Sequence, residues 1–430
     1  MSASRGPAAA YVRHNGGRLP PASWRKHVRS TGPETHQEQL CDEQTGTVDS
    51  GDLWGSASLD IIVGPQRAPA GGQIPPKWVA RPQSSMHGGL VKFGVEIPTC
   101  TAGMMHPVPF AGVNDVVDTA VEAEQLGYYD AGGNDHLSTM QFVRDAWQSP
   151  PDYFEPLVTF ANIAARTSVI RLTTGIMVLP MRQPVLLAKQ VATLDQLSGG
   201  RVILGVAVGG YRDEFESVMP DLKNANRAEL TRECIEALRV LFEKPRSTYQ
   251  GQYIRFEDVE SYPKPVQAPL PIYSGGNVEG SIRRAAELCQ GWLPAKMGPS
   301  AFREGRNKLD SFARRAGRDP ATIATALQSI VCLGRTTEEA RETFVNSSFD
   351  LFRKSLQGTM MKGVDIDTYM DINLVGTPDE VCAKVDAYRE AGLDHLCSLL
   401  FVGNTLDEMR AQIRAFSRYV IAEFPGTGST

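Results

Sequence analysis

The chain has 430 residues, 42% of them hydrophobic and 22% charged, with 44 basic against 49 acidic side chains for a formal charge of −5. These proportions are those of a soluble globular protein and argue against disorder throughout and against a nucleic-acid footprint. No apolar run approaches the roughly 20 residues that span a bilayer.

The length exceeds an ordinary single domain, yet one α/β barrel of roughly 250 to 350 residues could use most of it. Seven cysteines (Cys41, Cys100, Cys234, Cys289, Cys332, Cys382 and Cys397) are scattered without a CxxC pair. Their odd number and spacing fit neither a disulfide framework nor a zinc ribbon, so they read as small buried side chains in a reducing cytoplasm.

Residues 1–89 are rich in Gly, Pro, Arg and Gln and lack either hydrophobic period. Such a segment cannot bury enough apolar surface to offset chain entropy, so a disordered N-terminal extension is expected. "LDIIVG" is too short for the apolar core of a secretory signal. Met86 stands just before the first convincing strand, which suggests a dispensable or mis-started leader ahead of a barrel domain over 90–426.

From Val91 onward β-branched runs alternate with amphipathic stretches, the signature of repeated βα units around a parallel sheet. "VKFGVEIP" opens the series, and "VNDVVDTAVEAEQLG" follows as a helix stopped by Gly127. "YYDAGGNDH" is a second strand with a polar end. A helix from Pro156 to Arg166 then feeds a third strand, "SVIRLTTGIMVLP". "PVLLAKQVATLDQLSGG" reads as a helix with Pro184 in its first turn and Gly199 as its stop.

"RVILGVAVGG" is the fourth strand; after a helix near Arg227 to Phe242 and a hairpin-like "TYQGQYIRFEDV", "PLPIYSGGN" is the fifth. "SIRRAAELCQGWLPA" supplies a helix and the sixth strand, "TIATALQSIVCLG" the seventh and "HLCSLLFVG" the eighth. Eight strands suggest a closed (β/α)8 TIM barrel; the alternative is a doubly wound open sheet, which usually stops at five or six strands.

In a parallel barrel the C-terminal ends of all strands converge on one face, where active sites assemble. The second strand delivers Asn134, Asp135 and His136 there, and an imidazole beside an acid can hold or move a proton near neutral pH. The third delivers Thr174, Gly175, Ile176 and Met177, with Arg182 close behind between Pro180 and Pro184. The fourth ends in Gly209, Gly210 and Tyr211, and the fifth in Ser274, Gly275, Gly276 and Asn277.

Glycines between a strand and a helix let backbone N–H groups approach an oxyanion, and the helix N-terminus adds positive potential, so a phosphate-bearing ligand fits. Neither GxGxxG nor the P-loop pattern is present. No histidine pattern with ligand spacing points to a metal, and no GxSxG elbow to a serine hydrolase. "NSSFDLFRKSLQGTMM" places Phe349, Phe352 and Leu356 at helical spacing before Met360 and Met361, a pattern that suits either a lid or packing against the barrel.

Together these segments resemble the bacterial-luciferase-like monooxygenases and the flavin- and deazaflavin-dependent oxidoreductases of that superfamily. The resemblance runs through "AEQLGYYDAGGNDH", "LTTGIMVLPMRQPVLLAKQVATLDQLSGGRVILGVAVGGYRDEFE", "YPKPVQAPLPIYSGGN" and "RRAAELCQGWLP". It implies a (β/α)8 barrel whose C-terminal mouth binds reduced FMN or coenzyme F420, with a non-prolyl cis peptide joining Gly175 to Ile176.

It further implies that His136 lies near the reactive part of the ring and that Gly275 and Gly276 contact phosphate. Gly209, Gly210 and Tyr211 would line the cofactor. Asp135, Thr174, Met177, Ser274 and Asn277 complete the cofactor-binding set, and His136, Arg182 and Tyr211 the catalytic one. Arg182 would supply a cation to an anionic cofactor tail or substrate.

Two departures stand out: "GVAVGGY" replaces the family's usual GVGxGW, and Gly210 stands where some sugar-phosphate dehydrogenases carry a glutamate. The implied activity is oxygenation of a small organic substrate by a reduced-FMN-dependent monooxygenase. The alternatives are F420-dependent hydride transfer, to which "VLPMRQP" and "YPKPVQAPLPI" are somewhat more similar, and a non-catalytic flavin-binding protein. A reductase partner and a homodimer or larger homo-oligomer are expected with it, without nucleic acid or membrane.

Overall fold

A computed structural model describes residues 90–99, 112–146, 148, 150–355 and 363–424. The leader, with Met86, Cys41 and "LDIIVG", lies outside the described residues, as do Cys100, Leu356, Met360 and Met361.

Eight parallel strands close on themselves: β1 (Lys92–Glu96), β2 (Asp130–Gly133), β3 (Arg171–Thr174), β4 (Val202–Ala207), β5 (Ile272–Gly275), β6 (Gly291–Leu293), β7 (Ala324–Leu327) and β8 (His395–Phe401). Each pairs with the next, and β8 returns to β1 through Lys92↔His395 and Phe93↔Leu396, which completes the ring and excludes the open-sheet alternative.

Helices α1 (Val113–Gln125), α2 (Pro156–Arg166), α3 (Pro184–Leu197), α4 (Arg227–Glu243), α5 (Glu279–Leu288), α6 (Pro299–Arg315), α7 (Pro378–Glu390) and α8 (Leu406–Tyr419) lie between and after the strands. Among the described residues none is long and apolar enough to cross a membrane.

The helices form where the sequence places apolar residues at a 3.6 period. In α3 the side chains of Leu187, Val191 and Leu194 are buried on one face. Pro184 at its first turn gives up an amide that would have no intrahelical partner, and Gly199 and Gly200 end it with φ of 65° and 84°. Burying each such Leu or Val stabilises the fold by about 1.5 to 3 kcal/mol.

Two strands differ from their sequence outlines. The third breaks after Thr174, and Met177–Val178 resumes beside β4. The seventh divides at Gln328–Ser329: its first half stays in the ring, while Ile330–Leu333 leaves to pair with Leu374–Gly376 and with the far end of β8. A uniform apolar run cannot reveal such a division, because both halves are equally buried. The hairpin Ser247–Gln250/Arg255–Val259 is antiparallel, as its Gly-Gln turn suggests.

Candidate active site

The C-terminal rim is built where β2, β3, β4 and β5 end side by side. The peptide joining Gly175 to Ile176 is cis, at the position the resemblance indicates. Gly175 N donates to Gly133 O at 2.8 Å, which ties the end of β3 to the end of β2. A Cβ on Gly275 would come within 3.2 Å of both Ala207 Cβ and Ile176 Cγ2, so the ends of β3, β4 and β5 meet there. Gly209 has φ 81°, and any side chain on it would press against Val178 Cγ1 at 2.7 Å.

His136 is mostly covered and leans on a partner that the sequence outline lacks. Its Nδ1 lies 3.2 Å from Glu214 Oε2, and Glu214 is itself buried in the short helix Arg212–Val218. Glu214 Oε1 accepts the Leu137 amide at 2.9 Å and the Ser138 amide at 3.4 Å. An acceptor-only carboxylate so placed assigns the proton to Nδ1 and leaves Nε2 as the nitrogen that can take or return one.

The aromatic surround is dense. Tyr153 and Tyr211 lie 5.1 and 5.8 Å from the His136 ring, and Phe142 stands 5.1 Å from Tyr211. Phe352, on the helix Ser348–Ser355, is buried against Met140, Val143 and Phe142, while Phe349 packs into the cluster of Phe344 and Tyr369 beyond the ring. Both phenylalanines that the sequence offers for a lid are therefore packed.

Arg182 does not offer a free charge. Its guanidinium engages both carboxylate oxygens of buried Asp135, with Nε at 3.2 Å from Oδ2, and its Nη1 reaches Glu155 Oε1 at 3.1 Å. Burial would lower its pKa, but the two carboxylates outweigh burial and raise it. Asp135 also accepts the Val178 amide at 3.0 Å, so this network holds the resumed third strand against the β2 loop. Two candidate ligand contacts thus form a brace behind the rim.

The β5 turn divides in the same way. Ser274 is fully buried with its hydroxyl on Ser281 O, and Asn277 exchanges two hydrogen bonds with the Ala295 backbone. Thr174 likewise donates to Gly205 O at 2.7 Å, and Met177 is buried in the core. What stays available is the start of α5, which has no side-chain cap; Gly276, with φ 120°, already donates its amide to Leu293 O at 3.2 Å and accepts Trp292 Nε1 at 2.9 Å. Of the first-turn amides of α5, those of Ser281 and Ile282 donate to Val278 O, which leaves those of Glu279 and Gly280 ahead of the helical ladder to receive a phosphate.

Below the rim, Glu96 closes β1 with its carboxylate inside the barrel. It is 1% exposed, and neither oxygen has a hydrogen-bond partner. Burial pushes its pKa well above the usual carboxylate range; the nearby Ser398 hydroxyl opposes this in part, and the charge of Asp130 adds to it. Glu96 is legible as a strand end, but its isolation is not.

The comparisons agree with this architecture. The family description "luciferase-like monooxygenase" matches residues 91–395. An FMNH2-dependent dimethylsulfone monooxygenase of Pseudomonas fluorescens is 24% identical over 328 residues, covering 71% of this chain and 88% of the relative. An F420-dependent glucose-6-phosphate dehydrogenase of Kineococcus radiotolerans is 26% identical over 295 residues, covering 65% and 85%. The crystal structure of a monooxygenase from Streptomyces bottropensis superposes with a TM-score of 0.63 at 23% identity, over 78% of this chain and 100% of that one.

Proposed function

The chain belongs to the luciferase-like monooxygenase family, and from that premise we propose that it binds reduced FMN at the barrel mouth and oxygenates a small organic substrate. The observation that carries this reading is the rim itself. Gly275 borders Ile176 and Ala207, Gly209 abuts Val178, and the uncapped N-terminus of α5 follows Gly276 with its Glu279 and Gly280 amides suited to a phosphate. Bound reduced FMN would supply the electrons for activating dioxygen.

The chain's own residues have separate duties. The Glu279 and Gly280 amides that open α5 would hold the phosphate beside the Gly275-Gly276 turn, and Ile176 and Gly209 would border the space for the ring. Tyr153, Tyr211, Phe142 and Phe352 exclude water from the side on which His136 stands. His136 Nε2 accepts a proton while Glu214 keeps the one on Nδ1, so the imidazolium formed is paired at once. A separate reductase would provide the reduced cofactor, since the sequence contains no dinucleotide-binding fingerprint.

The second reading, hydride transfer with F420, draws support from the match to an F420-dependent relative. Fluorescence titration of the purified protein with reduced FMN and with reduced F420 separates the two. Tighter binding of FMN upholds the proposal, tighter binding of F420 replaces it with the second reading, and failure of both to bind removes either.

A further inference from the structure

We propose that the barrel interior holds a zinc-class divalent cation between Asp130, His395 and Cys397, a site distinct from the rim and independent of which cofactor binds there. Asp130 opens β2, and His395 and Cys397 belong to β8; β1 lies between these strands and is hydrogen-bonded to both. The three side chains meet inside the ring because β1 carries Gly94 opposite Asp130, where any Cβ would collide with Asp130 Oδ1. The sheet also shifts register between Phe93 and Val95, and Ser398 has φ 48°, so that Cys397 and Ser398 both lie against interior groups.

The geometry suits coordination. His395 Nε2 is 3.0 Å from Asp130 Oδ1, and Cys397 Sγ is 3.4 Å from Asp130 Oδ2. One donor atom from each residue lies within 4.8 Å of the others, and all three residues are buried. Ligands at bond lengths of roughly 2.0 to 2.3 Å around a tetrahedral ion stand roughly 3.3 to 3.8 Å apart, so small shifts suffice. A carboxylate oxygen, an imidazole nitrogen and a thiolate sulfur together favour zinc over magnesium or calcium.

Hydrogen bonding alone does not close this cluster. Asp130 has no lysine or arginine partner among the described residues, and its ion pair with His395 exists only if the imidazole is protonated. His395 Nδ1 has no partner, and neither has either oxygen of Glu96, two residues along β1 from Gly94 and next to Ser398. Buried polar atoms left without partners beside a set of candidate ligands mark a place where a further group can bind. Binding the cation displaces the Cys397 thiol proton to solvent and leaves thiolate, imidazole and carboxylate on the metal. It would also cross-link strands 265 residues apart in sequence, on either side of β1.

The test is cobalt titration of the metal-stripped full chain, with near-ultraviolet absorption and unfolding temperature as readouts. We expect about one cobalt per chain, a thiolate-to-cobalt charge-transfer band that zinc or a chelator abolishes, and a higher unfolding temperature that a chelator reverses and zinc maintains. Cys397→Ser should abolish the band, His395→Gln should weaken binding at least tenfold, and Cys234→Ser, at another buried thiol, should leave the band intact. A folded wild-type chain that shows no band overturns the proposal, and so does a band that persists in Cys397→Ser. The wild-type titration decides the matter even if a variant does not fold, and neither outcome bears on flavin binding.

Discussion

The two ends of the barrel differ in what their charged side chains hold. At the N-terminal end Arg201 directs its guanidinium to backbone: Nη1 and Nη2 reach the carbonyls of Ile170, Ala164 and Thr167 at 2.9 to 3.1 Å, and Nε reaches Ser198 O at 2.7 Å. Glu124 does the converse, accepting the amides of Ser168, Val169 and Ile170. At the C-terminal end carboxylates accept amides too, but they also hold side chains: Glu214 orients His136, and Asp135 and Glu155 hold Arg182. Charge at one end stitches loops to the ring, and at the other it sets the position of groups around an open mouth.

Substitutions can break or sharpen that contrast. His136→Ala should give the largest effect, a fall in turnover of about 10²- to 10⁴-fold, with the urea midpoint nearly unchanged. Unaltered turnover would remove His136 from the mechanism. Arg201→Ala should do the reverse, lowering the free energy of unfolding by about 3 kcal/mol because several buried carbonyls lose their donor. Cofactor affinity of the folded fraction should not move; a parallel loss of affinity would show that the two ends are coupled.

Glu214→Gln should cost about tenfold in turnover, since an amide no longer fixes the His136 ring in the tautomer with its proton on Nδ1. Loss of stability without any change in turnover of the folded fraction would mark Glu214 as merely structural. The smallest effect belongs to Glu124→Gln. Burial raises the Glu124 pKa, but the Ile170, Val169 and Ser168 amides and the charge of Arg201 outweigh it, so the net shift is downward. Its stabilising contribution is therefore present above the unfolded value of about 4.3 and is lost as pH falls through the lower folded value.

For a group only partly buried the cost at neutral pH should be under about 1 kcal/mol. Urea midpoints of wild type and variant should converge in acid; a gap that widens there would contradict the assignment.

Much of this was readable in advance. Pro156–Arg166 and Pro184–Leu197 begin and end where their prolines and apolar spacing indicate, and the rim residues stand at strand ends as the βα repeat requires. The glycines at 175, 209 and 276 mark real backbone features, one before a cis peptide and two at positive φ. Arg182 was visible as a cation behind a strand, but not as one already claimed by Asp135 and Glu155. Nothing in "YRDEFE" separates Glu214, which meets His136, from Asp213, which caps the Gln141 amide.

The order of strands and helices follows from the sequence alone, because hydrophobic period, turn residues and helix stops act over a few residues of chain. Which charged groups face one another was decided only by closure of the ring. His136 and Glu214 are 78 residues apart, and Asp130 and His395 are 265 apart. Such partners carry no local signal; they meet because parallel strands bring every strand end to a common face and every inward side chain to a common axis.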